Sequence, residues 1–394
     1  MALTIAGLSR TYPKGVKALM SPSLLNSVRR LQRQPRLLHA LGSLVVFVLI
    51  AWLDLALDKD LSLFALYLIP TLYSAWFLGI RWGYVCCFAS AAVWAVDDWG
   101  GALFHRHVMI PYWNLAGRLI VLAVIAAIVN ALKNALENEY AAKLRGLQRE
   151  FEIASEVQSH LLPSRAPDYP RLDLGFFYQP AREVGGDYYD FIPFDTERMA
   201  LVVGDVSGKG LASALLMASL QGLVRMNLAV REGEVARFVT ELNDSMYGLT
   251  PSNQYATVFC AVVDVSDQTL QYVNAGHNPP LLFRNGAAPA RGTTERLDSE
   301  GLPVGIFAQS QYRSERVLLH NGDILVAYTD GLVEALNPQQ EEFGEERLSD
   351  IVHASSSLSA PEICKRIAAR LQAFVAEGPQ WDDISLVVMK VKPA

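Results

Sequence analysis

The fold of this chain is decided by the stretch Leu201-Val202-Val203-Gly204-Asp205-Val206-Ser207-Gly208-Lys209-Gly210. Met199–Val203 is a short apolar run bounded by Gly204, which predicts a buried strand rather than a helix. The strand ends at the carboxylate of Asp205, and a glycine-rich turn leads into Leu211–Asn227, a predicted helix. An acid at the tip of a buried strand is well placed to hold a hard cation such as Mg²⁺ or Mn²⁺. An ordinary Asp-Gly turn is the alternative interpretation, so the other acids of the chain must decide.

The first 133 residues are strongly apolar. Residues 1–36 carry seven basic side chains and no acid. Each of the four apolar stretches that follow has about the 20 residues that a bilayer requires, the third if it continues past Asp97-Asp98. They predict an all-α bundle of four transmembrane helices over residues 37–133: Leu37–Leu57, Leu61–Ile80, Trp82–Val96 and Tyr112–Leu132. Basic residues before the first span and after the last predict that both ends lie in the cytoplasm.

Several ionisable residues lie toward the predicted outer side of the bundle. Asp97, Asp98 and Arg118 are costly near a bilayer unless they are paired or hydrated. His105 and His107 lie in the loop between the third and fourth spans. Two interpretations stay open: these side chains reach the water at the membrane interface, or they form a ligand site. The sequence names no ligand.

Residues 134–163 predict a helix that links the bundle to the rest of the chain. Its apolar seam has a seven-residue period, with one polar member, Gln158. The seam consists of Tyr140, Leu144, Leu147, Phe151, Ala154, Gln158 and Leu161. It predicts a parallel dimeric coiled coil, in which Gln158 would fix the register. A single amphipathic helix that lies on its own domain gives the same pattern and stays an alternative.

Residues 164–394 change to short segments rich in β-branched and aromatic residues, separated by turn signals. The predicted strands are Leu172–Tyr178, Met199–Val203, Tyr255–Val265, Thr269–Val273, Pro280–Arg284, Arg313–Leu319, Asp323–Tyr328 and Ile384–Val391. The predicted helices are Gly210–Asn227, Gly233–Tyr247, Glu345–Ala354 and Ala360–Glu377. Strands that pair locally, with helices in two clusters, predict an α+β layered sandwich rather than a parallel sheet.

Charge, cysteine content and glycine spacing exclude several classes of function. A net charge of −6 gives no electrostatic basis for binding nucleic acid. The four cysteines show no CxxC spacing, which argues against a disulfide framework and a zinc site. Gly204–Lys209 does not fit a nucleotide-binding P-loop, because its glycines are one residue too close and Gly210 replaces the required hydroxyl residue.

Four acidic segments share one placement, at the edge of a strand or a tight turn. They are Glu183–Asp187, Gly204-Asp205, Tyr328–Gly331 and Asp382–Ser385. Carboxylates brought together at one edge of a sandwich repel strongly unless a metal neutralises them. Two divalent ions about 4 Å apart, bridged by one aspartate, would resolve the repulsion and activate a water. Turn chemistry by chance remains the alternative for each acid, and His277 is either a contributor or a structural corner.

Five motifs in order resemble the SpoIIE-type branch of metal-dependent serine/threonine phosphatases, which are relatives of protein phosphatase type 2C. They are Glu183–Asp190, Gly204–Gly210, Asn274–Pro280, Tyr328–Gly331 and Asp382–Ser385. The helix Phe151–Leu162 also resembles the linker helix of that family. The resemblance covers residues 150–394 but not the membrane region. It implies a PPM-type αββα sandwich over residues 164–394, with two Mn²⁺ or Mg²⁺ ions at one edge.

The resemblance also implies a ligand set. Asp205 resembles the bridging ligand, and the carbonyl of Val206 would help to hold one ion. Asp330 and Asp382 would hold the other ion. Asp187 would bind a metal or its waters from the side.

The resemblance leaves the roles of several other positions open. Asp383 stands where relatives often have asparagine, so it is the alternative to Asp382. Arg182 either contacts substrate phosphate or is solvated at the strand edge. Type 2C enzymes place a histidine just after the bridging aspartate, whereas Val206-Ser207 stand here, as is general in the SpoIIE branch. The turn that would relay a signal between metal and helix comprises Gly208, Gly210 and Leu211.

These features predict a multi-pass protein of the bacterial inner membrane with a cytoplasmic protein serine/threonine phosphatase domain. It would hydrolyse phosphoserine or phosphothreonine with a metal-activated water. The resemblance implies a small phosphorylated regulator of the STAS-type anti-anti-sigma class as substrate. Membrane lipid and a second copy, paired through residues 134–163, are the other expected partners. A catalytically silent membrane receptor module that binds a partner through the sandwich is the alternative, and the intact acids argue against it. A phosphodiesterase or nucleotide cyclase has no supporting nucleotide-binding pattern.

Overall fold

The computed structural model describes residues 34–57, 63–102, 109–169, 171–228, 234–250, 254–285, 293–376 and 378–393. Residues 1–33 of the predicted basic segment lie outside the described residues, as do His105, His107 and the side chains of Asp97 and Asp98. The chain divides into two compact units, Met1–Gly146 and Leu147–Ala394.

Helices cover all four apolar stretches of the first unit. They are α1 (Arg36–Ala56), a short 3-10 helix (Phe64–Tyr67) that leads into α2 (Leu68–Phe77), α3 (Ile80–Ala102) and α4 (Met109–Leu161). Within the described residues, three helices are long and apolar enough to cross a membrane: Arg36–Ala56, Tyr112–Leu161 and, in the second unit, Leu211–Leu228. Phe64–Phe77 and Ile80–Val96 are apolar but shorter. A bundle of four transmembrane helices therefore stays a prediction.

The surface of α1 is apolar. Its exposed large side chains include Leu37, Leu44, Val45, Val48, Leu49 and Trp52. Inside the unit, the hydroxyls of Ser43 and Ser74 lie 2.6 Å apart, a kind of polar contact that joins helices in membranes. These features are consistent with membrane association.

In the part of the second unit that the structure describes, the strands form two five-stranded antiparallel sheets. The strands are β1 (Leu172–Gln179), β2 (Asp187–Pro193), β3 (Arg198–Val206), β4 (Ala256–Asp264), β5 (Thr269–Ala275), β6 (Leu281–Phe283), β7 (Thr294–Arg296), β8 (Glu315–Leu318), β9 (Ile324–Tyr328) and β10 (Ile384–Val391). Sheet A has the order β1-β10-β9-β6-β7, and sheet B has the order β2-β3-β4-β5-β8. The helices of this unit, after the end of α4, are α5 (Leu211–Leu228), α6 (Val235–Leu249), α7 (Asp330–Val333), α8 (Gly344–His353) and α9 (Ala360–Val375).

The strands of sheet A divide their side chains between two hydrophobic cores. On β10, Val387 and Met389 face a core shared with sheet B, whereas Leu386 and Val388 face α8 and α9. This alternation follows from the two-residue period of a strand. Helices α5 and α6 cover the other side of sheet B. The order of layers is helices, sheet B, sheet A, helices, and the predicted α+β sandwich is confirmed.

Strand β2 was not predicted, because two acids interrupt its apolar pattern. The structure explains one of them, Asp190, by a buried ion pair. Its carboxylate is fully buried and accepts hydrogen bonds from Nε and Nη2 of Arg225 on α5, at 2.7 and 2.9 Å. The hydroxyl of Tyr188 donates to the same carboxylate at 2.8 Å. The pair therefore fastens α5 to sheet B.

The C-terminal half of the predicted heptad seam lies on its own domain. Gln158 is only 7% exposed and bonds to the backbone of Gly185. Leu144 and Leu147, earlier in the seam, are exposed. The coiled coil is not confirmed, and the part around Gln158 matches the alternative of a helix packed on its own domain.

Candidate metal centre

Two of the predicted acids face each other in sheet B. Asp187 is the first residue of β2, and the antiparallel register pairs it directly with Asp205 on β3. The side chain of Asp187 is buried, and Asp205 is partly exposed. A cross-strand pair of like charges is unfavourable without a compensating cation.

The remaining acids come from sheet A. Asp330 opens α7 two residues after β9 ends, and Asp382-Asp383 immediately precede β10. Strands β9 and β10 are antiparallel neighbours, so the end of one lies beside the start of the other. Each sheet therefore contributes acids to the same edge of the sandwich.

Thr329 links the two groups of acids. Its hydroxyl donates to Oδ2 of Asp187 at 2.7 Å and accepts a hydrogen bond from the backbone N–H of Ser385 at 2.8 Å. Thr329 is fully buried. Thr329 has no role in the predicted ligand set, although a hydroxyl directly after the buried strand Ile324–Tyr328 indicates that it meets a polar partner.

Burial and mutual repulsion raise the pKa values of Asp187, Asp205 and Asp330. Burial, followed by the charges of Asp330, Asp382 and Asp383, raises the pKa of Asp205 to about 7. Burial and the neighbouring Asp205 and Asp383 charges raise the pKa of Asp187 well above its usual range. Burial and the Asp382 charge likewise raise the pKa of Asp330. These shifts share one cause, negative charge confined at a partly buried edge, which a cation would relieve.

The two C-terminal acids have different surroundings. Asp383 accepts hydrogen bonds from the N–H groups of Ala181 at 2.7 Å and Gly186 at 2.6 Å, so both its oxygens are engaged by a loop. The Asp382 side chain is 39% exposed and pairs with the ammonium group of Lys209 at 2.7 Å. Asp382 is therefore the more accessible of the two to an incoming ion.

The glycine-rich turn after Asp205 places a positively charged side chain at this edge of the sandwich. Gly208 and Gly210 have φ values of 97° and 86°, in the left-handed region that glycine adopts without strain. This geometry brings Lys209 to Asp382 and to the carbonyl of Trp381, at 2.6 Å. Nη1 of the exposed Arg182 lies 3.5 Å from where a Cβ on Gly210 would stand. Two cations therefore flank the turn.

The same turn is joined directly to α5. The carbonyl of Gly210 accepts hydrogen bonds from the hydroxyl of Ser213 at 2.9 Å and the N–H of Ala214 at 3.1 Å. Leu211, the first residue of α5, is exposed. The turn and helix are contiguous as expected, and their role as a switch stays a prediction.

His277 occupies a structural corner. Its backbone N–H donates to Oδ1 of Asn274 at 2.7 Å, and its Nδ1 lies 3.0 Å from the hydroxyl of Thr257, the strand partner of Asp205. Burial lowers the pKa of His277 to about 4, so the ring is neutral at physiological pH. The contact with Thr257 supports the β3–β4 edge next to Asp205.

The donor set suits a hard divalent cation. Among the residues that the structure describes, no three histidine, cysteine or acidic side chains form a ready-made metal cage. The acids nevertheless meet at one edge, they repel one another, and all of them offer oxygen, which Mg²⁺ and Mn²⁺ prefer. The residues therefore fit such ions.

Comparisons with known proteins identify the family to which the second unit is similar. Residues 195–392, just over half of the chain, match the family model described as Stage II sporulation protein E (SpoIIE). The chain is 29% identical to protein IcfG of Synechocystis sp. over 270 residues, 61% of this chain and 41% of IcfG. It is 29% identical to the phosphoserine phosphatase RsbU of Bacillus subtilis over 259 residues, 63% of this chain and 73% of RsbU.

A solved structure shares the fold of the second unit. The SiaA-PP2C domain of Pseudomonas aeruginosa superposes with a TM-score of 0.57 at 21% identity. The match covers 64% of this chain and all of that domain. The chain therefore has a PP2C-like sandwich, and it spans less than half the length of IcfG.

Proposed function

This chain belongs to the SpoIIE family of PPM-type phosphatases, and on that premise we propose that it is a membrane-anchored, metal-dependent protein serine/threonine phosphatase. One observation carries the proposal. Asp187 and Asp205 from sheet B meet Asp330 and Asp382, which adjoin strands of sheet A, at a single edge, where the charges of Asp330 and Asp382 help to raise the pKa of Asp205. The fold alone would not support an activity, since folds host many functions, but the site does.

The proposed cofactors are two Mn²⁺ or Mg²⁺ ions. Asp205 would bridge them, with the Val206 carbonyl and Asp187 on one side and Asp330 and Asp382 on the other. Bound ions would supply a water acidic enough to attack phosphorus near neutral pH. Asp383 is not among the proposed ligands, because both of its oxygens already accept hydrogen bonds from backbone N–H groups of the loop before β2.

Two cationic side chains of this chain would bind the phosphoryl group of the substrate. Arg182 and Lys209 flank the turn after Asp205, and a guanidinium group suits two phosphoryl oxygens at once. In this arrangement they hold the phosphoryl group against the acids and stabilise the negative charge that grows on its oxygens.

The proposed substrate is phosphoserine or phosphothreonine on a small regulatory protein of the STAS-type anti-anti-sigma class. The printed name of RsbU, a phosphoserine phosphatase, supports the phosphoamino acid. The regulator would act in a partner-switching pathway of the kind implied by the sequence motifs.

We place the bundle in the bacterial inner membrane, with the phosphatase domain in the cytoplasm. Apolar helices support the first part, and the basic residues around the spans support the orientation. A homodimer through residues 134–163 is also proposed, with the exposed Leu144 and Leu147 at its contact.

The test is hydrolysis of phosphoserine and phosphothreonine peptides by the purified chain, with and without Mn²⁺. We expect Mn²⁺-dependent release of phosphate that Asp205→Asn abolishes. Asp168→Asn, which changes an exposed acid outside the site, should retain the activity. Activity preserved in Asp205→Asn would refute the proposal. Absence of both hydrolysis and divalent-metal binding in the wild type would favour the silent receptor module.

A further inference from the structure

Two exposed aromatic residues adjoin the turn that follows Asp205. The N–H of Ser207 donates to the carbonyl of Tyr255 at 2.8 Å, and the hydroxyl of Ser207 accepts from the N–H of Tyr255 at 2.9 Å. The ammonium group of Lys209 donates to the carbonyl of Trp381 at 2.6 Å. Trp381 is 63% exposed and Tyr255 is 37% exposed. Residues of one short turn thus bind the backbones of two exposed aromatic residues.

The backbone on both sides of Trp381 is held in place. Nε2 of Gln380 donates to the carbonyl of Gln179 on β1 at 2.9 Å and to the carbonyl of Asp382 at 2.8 Å. Oε1 of Gln380 accepts from Nε2 of Gln179 at 2.6 Å. None of these bonds uses the indole ring. An exposed ring on a fixed backbone loses little conformational entropy when it binds a partner.

Both aromatic residues lie next to proposed metal ligands. Trp381 directly precedes Asp382, and the ammonium group that binds the carbonyl of Trp381 also lies 2.7 Å from Oδ2 of Asp382. Tyr255 is bonded to Ser207, two residues after Asp205. Successive residues of a bound segment are about 3.8 Å apart. A phosphoserine held at the acids would therefore bring its neighbours in sequence within reach of the two rings.

Contacts with phosphate alone do not select a substrate. Metal ions and cationic side chains would bind the phosphoryl group of any phosphoserine, so discrimination has to come from contacts with the neighbouring residues. Tryptophan and tyrosine are enriched among the residues that dominate binding at protein interfaces. A cationic side chain could also stack on such a ring, but Lys209 and the exposed Arg182 would repel it. The two rings therefore fit apolar side chains best.

We propose that Trp381 and Tyr255 are specificity-determining residues that bind apolar side chains of the substrate next to its phosphoserine. The substrate is then a protein segment with large aliphatic residues on both sides of the phosphorylated residue. The inference rests on the proposed phosphatase function and specifies which phosphoserines it acts on.

The test compares three phosphoserine peptides of one length, which carry leucine, serine or arginine on both sides of the phosphoserine. The enzyme is the full-length chain with Mn²⁺ in nanodiscs of uncharged phosphatidylcholine, so that the lipid does not attract the arginine peptide. For the wild type we expect kcat/KM to be about tenfold higher for the leucine peptide than for the serine peptide. The difference should lie mainly in KM, because the flanking residues do not react.

Two alanine variants remove the rings. Trp381→Ala should lower the ratio of kcat/KM between the leucine and serine peptides to about two, and Tyr255→Ala should lower it about threefold. Trp381→Phe and Tyr255→Phe should keep most of the preference, because each retains an aromatic ring. The ratio compares two peptides on the same protein, so a general loss of activity or stability does not change it.

Leu318→Ala is the matched control for loss of an exposed apolar side chain. Leu318 is 61% exposed and pairs with Thr269 of β5, which pairs with Asp264 of β4. Asp264 ends β4, whereas the strand partner of Asp205 lies near the start of β4, so Leu318 is at the opposite end of sheet B. Its replacement should leave both kcat/KM values unchanged.

Three results would overturn the inference: equal kcat/KM for the leucine and serine peptides in the wild type, a preference for the arginine peptide, or a leucine preference that both alanine variants retain. In each of these cases the chain still hydrolyses phosphoserine, so the proposed function stands. A wild-type chain that hydrolyses none of the three peptides would contradict the proposed function, and the inference would fall with it.

Discussion

Replacement of Asp205 by asparagine should stabilise the metal-free protein while it abolishes metal binding. Burial of this carboxylate, followed by the charges of Asp330, Asp382 and Asp383, raises its pKa to about 7. A raised pKa means that the folded protein binds the proton more tightly than the unfolded chain. The favourable contribution is complete below the unfolded pKa, near 4, and is lost as the pH rises toward 7.

The magnitude follows from the two pKa values. A carboxyl group whose pKa changes from its ordinary 3.8 to about 7 on folding costs about 4 kcal/mol when it is fully ionised. Burial and repulsion both contribute to this cost, and the acids share the repulsion. Replacement of Asp205 by the uncharged asparagine relieves part of the cost, and we expect a gain of roughly 1–3 kcal/mol near pH 8. Near pH 4 the gain should vanish, because the acid is then protonated in the folded state.

The assay is urea unfolding of the fragment Leu147–Ala394, the second compact unit, with a chelator or with Mn²⁺. Trp381 is the single tryptophan of this fragment and lies beside Asp382, so its fluorescence reports both unfolding and metal binding. Without metal, the midpoint of Asp205→Asn should exceed that of the wild type at high pH. With Mn²⁺, the wild type should gain stability and the variant should not.

The control is Asp168→Asn, which removes a charge from an exposed position. It should leave both the midpoint and the response to Mn²⁺ unchanged. A metal-free Asp205→Asn protein that is less stable than the wild type near pH 8 would show that the acids do not repel as inferred.

Two further predictions concern cations that neutralise these or other acids. Arg225→Met should lower the free energy of unfolding by about 2–3 kcal/mol, because it leaves the buried Asp190 carboxylate without its cationic partner. In urea unfolding, the double variant with Asp190→Asn should recover part of this loss. Full additivity of the two single effects would contradict the pairing. Lys209→Met should strengthen Mn²⁺ binding up to about fivefold, because the ion no longer displaces an ammonium group from the half-exposed Asp382. Titration of Trp381 fluorescence measures this change, and weaker binding would mean that Lys209 supports the site instead.

The sequence predicted the sandwich well wherever a strand is an uninterrupted apolar run. Ile384–Val391 was predicted with its observed bounds, and Leu172–Tyr178 within one residue. Strand β2 was missed because Asp187 and Asp190 break the pattern, and only the folded chain supplies the partners that let them be buried. Hydrophobic periodicity cannot anticipate a partner from a distant segment.

The acids of the candidate site were singled out in the sequence because each lies at the edge of a strand or a tight turn. What the sequence could not show is which side chains connect them. Thr329, which links Asp187 to β10, lies 142 residues after Asp187 in the sequence, and no local pattern identifies Asp187 as its partner. Gln158 was assigned to a helix–helix seam because a seven-residue period does not distinguish a partner helix from the surface of its own domain.

The division of the acids between the sheets has a mechanical consequence. Asp187 and Asp205 belong to sheet B, whereas Asp330 and Asp382 adjoin strands of sheet A, so bound ions would connect the two sheets. Any sliding of one sheet over the other would then change ion occupancy, and ion occupancy would resist sliding in return. Substitutions deep in the shared core, far from any ligand, would therefore change the affinity of the site for these ions.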